Sequence, residues 1–260
     1  MDRRTFFGAT TALAATATAT AAASADTPGS ARDLLELRTY TLSPGKLPIL
    51  ENYLKTAFIP AVKRLKSGPV GVFINPADGN EQKVFVLIVH SSITGVTTLA
   101  QALSSDAEYL AAAKEFLEAK AADPVYRRIE SSLMLAFEGM PKLERPDTTK
   151  NRLLNLRIYE SHNERSAAKK VEMFEKGELD IFRRVGLTPV FFASTIAGAA
   201  MPNLTYLLVF PDDGGRQSAW NVFRADPAWL KLKAMPEYAD KEIVSKITNY
   251  VLTPAPYSEI

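Results

Sequence analysis

Apolar and polar residues alternate through Leu35-Glu36-Leu37-Arg38-Thr39-Tyr40, the period of a β-strand with two chemically different faces. The alternation returns at Leu154-Asn155-Leu156-Arg157-Ile158-Tyr159. Arg38 and Arg157 stand 119 positions apart, as do Tyr40 and Tyr159. Helical spacing follows each opening. It covers residues 47–65, where Leu50, Leu54, Phe58 and Ile59 recur at helical intervals, and residues 166–185. Val70-Gly71-Val72-Phe73 and Val185-Gly186-Leu187 read as the next strands, followed by apolar strands at 84–90 and 205–210. A second helix carries Ser105-Asp106-Ala107 in one copy and Ala225-Asp226-Pro227 in the other. The last strands run over 129–137 and 247–253.

The mature chain is therefore one pattern written twice, over residues 33–140 and 152–258. Each copy has the order strand, helix, strand, strand, helix, strand, which is the ferredoxin-like arrangement of the α+β class. The proline- and charge-rich stretch 139–151, with Pro141 and Pro146, predicts a linker. Helices cover only one face of each sheet, so the other face needs a partner, and the second copy is tethered within reach. The expected architecture is an intramolecular dimeric α+β barrel, two sheets facing each other about a pseudo-two-fold axis.

Strand parity then selects candidate chemistry. If Leu35, Leu37 and Thr39 meet the helices, Glu36, Arg38 and Tyr40 face the space between the sheets, and Arg157 and Tyr159 join them from the second copy. Arginine offers a planar fork for carboxylate or phosphate, and tyrosine a ring and a hydroxyl beside it. The expected ligand is a small anion or carbonyl compound. The competing reading has the arginines paired with Glu36, Glu160 or backbone carbonyls, and the tyrosines filling the barrel. His90 ends its strand where the second copy has Phe210, so it would make one end of the space distinct. His162 lies in the polar loop Ser161-His162-Asn163-Glu164, suited to a helix N-cap. No phosphate-cradling glycine loop, Gly-x-Ser-x-Gly elbow or His-Glu-x-x-His pair is present, and neither cofactor nor metal is expected.

Arg216, Trp220, Phe223, Asp226, Pro227 and Trp229 occur in an order that resembles the NIPSNAP family. So do Leu156-Arg157-Ile158-Tyr159 upstream and Leu252 to Ser258 downstream. The first copy resembles it through Glu36-Leu37-Arg38-Thr39-Tyr40 and Pro44-Gly45-Lys46, but has Leu103 and Tyr109 where the second has Phe223 and Trp229. The resemblance spans nearly all of the mature chain and implies the dimeric α+β barrel fold without implying a catalytic set. Related barrels include monooxygenases and haem-degrading proteins. This leaves three readings: a binding protein, a cofactor-free monooxygenase-like enzyme or haem binder, and an assembly module. Trp220, Phe223 and Trp229 read as helix-packing residues.

The N-terminus changes where this protein is expected to work. Arg3-Arg4 precede Phe6-Phe7, a weakly apolar Ala/Thr run and the small-residue site Ala23-Ser24-Ala25. That order predicts a twin-arginine signal peptide over residues 1–25 and an exported, periplasmic or extracellular protein. The run is too short and too rich in threonine for stable membrane insertion. Removing it takes two arginines and one aspartate from 31 basic and 29 acidic residues, leaving a formal charge of +1. Such near-neutrality argues against nucleic-acid partners, while leaving a homo-oligomer open. With no cysteine, the chain has neither disulfides nor thiolate chemistry. Replacing Arg3 and Arg4 together by lysine should hold the precursor in the cytoplasm, as fractionation and immunoblotting would show. Export at the normal rate would identify the general secretory route instead.

Overall fold

The computed structural model describes residues 32–76 and 81–260. The expected signal peptide lies outside the described residues. The first repeat comprises β1 (Leu34–Leu42), helix α1 over 47–64, β2 (Val70–Ile74), β3 (Lys83–His90), α2 (Ile93–Ser104), α3 (Ala107–Ala112), α4 (Lys114–Leu117) and β4 (Tyr126–Ala136). The second comprises β5 (Leu153–Glu160), α5 over 164–184, β6 (Thr188–Ala197), β7 (Asn203–Phe210), α6 (Asp213–Ala225), α7 (Pro227–Lys233), α8 (Asp240–Ile243) and β8 (Lys246–Pro254). This is the predicted order in both copies.

Local chemistry sets the ends and breaks of the helices. α1 and α5 each contain a π-helical turn, at Leu54–Phe58 and Phe174–Glu178. The first tolerates Pro60, which has no N–H for the carbonyl four residues back, and the second makes the same turn with Asp180 at the equivalent position. Ser92, Asp106, Asn163, Asp212 and Asp226 cap the helices that follow them with side-chain oxygens. Two caps carry an added clamp at equivalent positions of the repeat. Arg64 donates to Asp106 at 3.2 and 2.6 Å, and Arg184 donates to Asp226 at 2.7 and 2.9 Å. The hydrogen bond from Arg184 leads the influences holding the Asp226 carboxyl at about 2. Each clamp ties the end of the long helix to the N-cap of the second helix after the repeat's third strand, α3 or α7.

One strand assignment is corrected. Val185-Gly186 ends α5 and does not begin a strand. Gly186 has φ +83°, and Leu187 N–H returns to the Phe182 carbonyl at 2.9 Å, closing the helix in a left-handed cap. Lys66 adopts the same turn in the first repeat with φ +55°, so the partner of Gly186 is Lys66 and not Gly71.

The eight strands form a closed antiparallel barrel in the order β1-β3-β2-β8-β5-β7-β6-β4. Each repeat supplies four adjacent strands, and two seams join them. β2 meets β8 through Phe73↔Pro254 and Ile74↔Thr253, while β4 meets β6 between Leu133↔Ala197 and Ala136↔Ala193. At the second seam a side chain on Gly198 would run into the Ser132 backbone at 2.8 Å, so the two chains approach as closely as they do only because this position is glycine.

Three apolar layers result. Between the sheets lie Leu35, Leu37, Phe73, Phe85, Leu87, Val89 and Met134 of the first repeat. They meet Leu154, Leu156, Val190, Phe191, Leu207 and Leu252 of the second, together with Ile260. The other two layers lie between each sheet and its helices. This reverses the expected facing of the opening strands. Leu35, Leu37, Leu154 and Leu156 point into the barrel, and Tyr40 and Tyr159 point toward the helices. Alternation was legible but direction was not, because both faces of each sheet are buried and apolar character does not distinguish them.

Cutting the chain to residues 26–145 would bare the interior face of the first sheet. Burial of each large side chain there is worth ~1.5–3 kcal/mol. The fragment should dimerise or aggregate in sedimentation velocity. A well-folded soluble monomer would contradict the mutual-burial account.

Candidate functional site

Because the faces are reversed, the sequence-selected residues fall into two separate helix–sheet layers and do not converge between the sheets. In the first, Glu36 is the centre. Its Oε1 accepts from Arg38 Nε at 2.6 Å and from Ser131 Oγ at 3.3 Å, while Oε2 lies 3.0 Å from His90 Nε2. His90 is buried, and its Nδ1 has no partner among the described residues. The Arg38 guanidinium lies 5.3 Å from the centre of the Phe58 ring. Burial by itself would raise the Glu36 carboxyl. The hydrogen bonds from His90 and Arg38 and the arginine charge outweigh it and hold the group at about 2. Tyr40 lies in the same layer, edge-on to Tyr126 at 5.5 Å.

In the second layer Arg157 lies 5.3 Å from the Tyr159 ring centre and 4.6 Å from that of Trp220. The Tyr159 and Tyr206 hydroxyls are 3.0 Å apart. Sequence reading missed two residues here, Lys170 and Glu178. Both are buried, and they pair at 3.2 Å. Lys170 sits 5.4 Å from the Tyr159 ring centre, 4.9 Å from Phe174 and 5.9 Å from Trp229. Burial pushes the Glu178 carboxyl and the Tyr159 and Tyr206 hydroxyls up. By the helix register Lys170 replaces Leu50 of the first copy and Glu178 replaces Phe58. A charged residue on an amphipathic helix normally signals its solvated face, so nothing local marked these two as buried. Trp220, Phe223 and Trp229 pack as expected, with Phe223 4.8 Å from Phe182 and 4.5 Å from Trp229.

Among the described residues, a recess of about 120 Å³ opens between the sheets at the barrel end where β1 and β5 run out. Four pairs of repeat-equivalent residues line it: Thr39 and Ile158, Lys83 and Asn203, Phe85 and Thr205, Ser132 and Tyr250. In the first and third pairs one copy contributes a hydroxyl and the other an apolar side chain, and in the fourth both contribute a hydroxyl on side chains of different shape. Glu130 stands beside Ser132 in the wall. Asn203 is fully engaged by Thr195 at 2.6 Å and by the carbonyls of Ala199 and Ala200. His162 is exposed and lies in neither layer nor the recess.

The repeated architecture has a counterpart among known families. The NIPSNAP family profile matches residues 35–138 and again 154–259. The chain belongs to the NIPSNAP family. Solved structures share the whole barrel. One from Fusobacterium nucleatum, described as a candidate monooxygenase, superimposes with TM-score 0.58 at 7% identity, over 86% of this chain and 93% of that one. A second candidate monooxygenase, from Lactobacillus acidophilus, gives 0.55 at 10% identity over 88% and 98%. An anthrone oxidase-like protein gives 0.56 at 9% identity over 87% and 93%. At such identities the likeness establishes the dimeric α/β-barrel fold alone. No curated protein matches the chain. Among the described residues, no helix of this NIPSNAP protein is long and apolar enough to cross a membrane.

The Glu36 site makes stability pH-dependent with a definite sign. Folding lowers the carboxyl from 4.5 to about 2, so the fold favours the ionised form. That contribution is complete above pH 4.5 and is lost as pH falls toward 2. Its size is on the order of 2–3 kcal/mol. Glu36→Gln should flatten the urea midpoint against pH across this window. An unchanged acid slope would show that Glu36 does not carry it.

Proposed function

We propose that this NIPSNAP protein works outside the cytoplasm as a binding protein for a small carbonyl-bearing or anionic molecule held between the two facing sheets. Arg3-Arg4 and the Ala23-Ser24-Ala25 site support the location. The recess at the barrel mouth supports the binding. At this place in the interior repeat-equivalent positions have parted company, and hydroxyl groups share the lining with aliphatic and aromatic side chains. Thr39, Ser132, Thr205 and Tyr250 bring hydroxyl donors for a carbonyl oxygen, and Lys83 brings a cation. Glu130 nearby favours a neutral carbonyl compound over a dianion. The volume restricts the ligand to a few heavy atoms. A second reading, a cofactor-free monooxygenase-like enzyme, draws only on the descriptions of the structural neighbours.

Thr205 permits a clean test. It faces Ile158 across the β5–β7 ladder, and its first-repeat equivalent is Phe85. Thr205→Phe therefore places in the recess a side chain that this fold already accommodates at the matching position. Native mass spectrometry of protein purified from its own host should show a small retained mass in the wild type and none in the folded variant. A wild type that never carries a ligand, or an adduct that survives in Thr205→Phe, would remove the reading. A haem or flavin mass would move the assignment to the enzyme class.

A further inference from the structure

The two helix–sheet layers are the same design with different charge. In the first repeat Arg38 is neutralised at 2.6 Å by Glu36. In the second the residue equivalent to Glu36 is Asn155, and its amide is already engaged. Its Oδ1 accepts from Trp220 Nε1 at 3.1 Å, and its Nδ2 donates to Asn249 Oδ1 at 2.7 Å and to the Tyr250 carbonyl at 3.0 Å. Arg157 forms no ion pair among the described residues, and its Nε is closed off from water without an acceptor. The carboxylate whose charge acts on it, Glu178, is bonded to Lys170. This layer thus holds two cations, Arg157 and Lys170, against the single carboxylate Glu178. A guanidinium with a desolvated Nε and no counter-ion is costly, and the first repeat shows how the same fold meets that cost from within.

We propose that Arg157 anchors an anion site in the second repeat, and that the anion is a small monocarboxylate. The site lies on the opposite face of β5 from the recess and is independent of the binding reading given for it. Trp220 covers one face of the guanidinium and Tyr159 lies beside it, so its hydrogen-bonding edge is left in the plane of the fork. A planar carboxylate meets that edge with two parallel bonds. One unbalanced positive charge suits a monoanion better than a phosphate dianion. Access is available from the β8 side: Arg157 is half-buried, and Asn249, its neighbour across the β5–β8 ladder, is exposed. The bound carboxylate would supply the negative charge that Glu36 supplies in the first repeat.

The chain has two tryptophans, Trp220 and Trp229, and both belong to this layer, so intrinsic fluorescence reports on it directly. Acetate and benzoate would be titrated at constant ionic strength, with acetamide and benzamide as uncharged isosteres. A saturable response to at least one carboxylate and to neither amide is expected. Arg157→Gln should weaken that response at least tenfold, the scale on which a hydrogen bond to a charged group is lost, with an unchanged far-ultraviolet spectrum. Asn155→Asp, which restores an internal carboxylate, should suppress it with the arginine still in place. Equal responses to acid and amide, no saturable response to either carboxylate, or full binding by folded Arg157→Gln would each overturn the proposal. The comparison of acid with amide holds on the wild-type protein even if a variant fails to fold.

Discussion

Each four-stranded sheet in this chain has two faces that must leave water, and its own helices can cover only one. The remaining face carries large aliphatic and aromatic side chains in each repeat, among them Leu35, Leu37, Phe85 and Leu87 in the first and Leu154, Leu156, Phe191 and Leu207 in the second. Neither set is stable exposed. Their mutual burial closes the barrel and turns two tandem repeats into one body. It packs the interior with leucine and phenylalanine, and among the described residues a recess lies at the mouth.

The duplicated design provides an internal control on what each polar residue does. The clamps Arg64–Asp106 and Arg184–Asp226 occur in both repeats and hold helix to helix, so they belong to the fold. The groups beneath the helices differ. One repeat gathers Glu36, Arg38 and His90 into a compensated cluster. The other buries Lys170 and Glu178 where its counterpart has leucine and phenylalanine, and leaves Arg157 against two aromatic rings. Buried ion pairs seldom repay their desolvation against an apolar core of the same volume. The Lys170–Glu178 pair has no counterpart in the first repeat, where Leu50 and Phe58 hold the equivalent positions, so the repeat fold does not itself require it.

The NIPSNAP fold was readable from the chain because repetition amplifies a weak signal. The offset between Leu35-to-Tyr40 and Leu154-to-Tyr159, with two similar sets of helical and strand periods, is difficult to meet with any other architecture. The Val185-Gly186 misreading shows the limit of that approach. A helix C-cap and a strand start both accept a Val-Gly pair, and only the backbone conformation at Gly186, shared with Lys66, distinguishes them.

Side-chain parity along β1 and β5, the repeat boundaries and the singular position of His90 were determined by the amino-acid sequence alone. The direction in which each parity set points was decided by the tertiary structure. When both sides of a sheet are buried, hydrophobicity is satisfied either way, and what selects the facing is shape. The space between the sheets holds leucine and phenylalanine, whereas the helix layers admit arginine stems over aromatic rings. The same holds for Lys170 and Glu178. Only the packing of α5 against β5 and α7 brings those two charges out of water and against each other, and no local pattern carries that information.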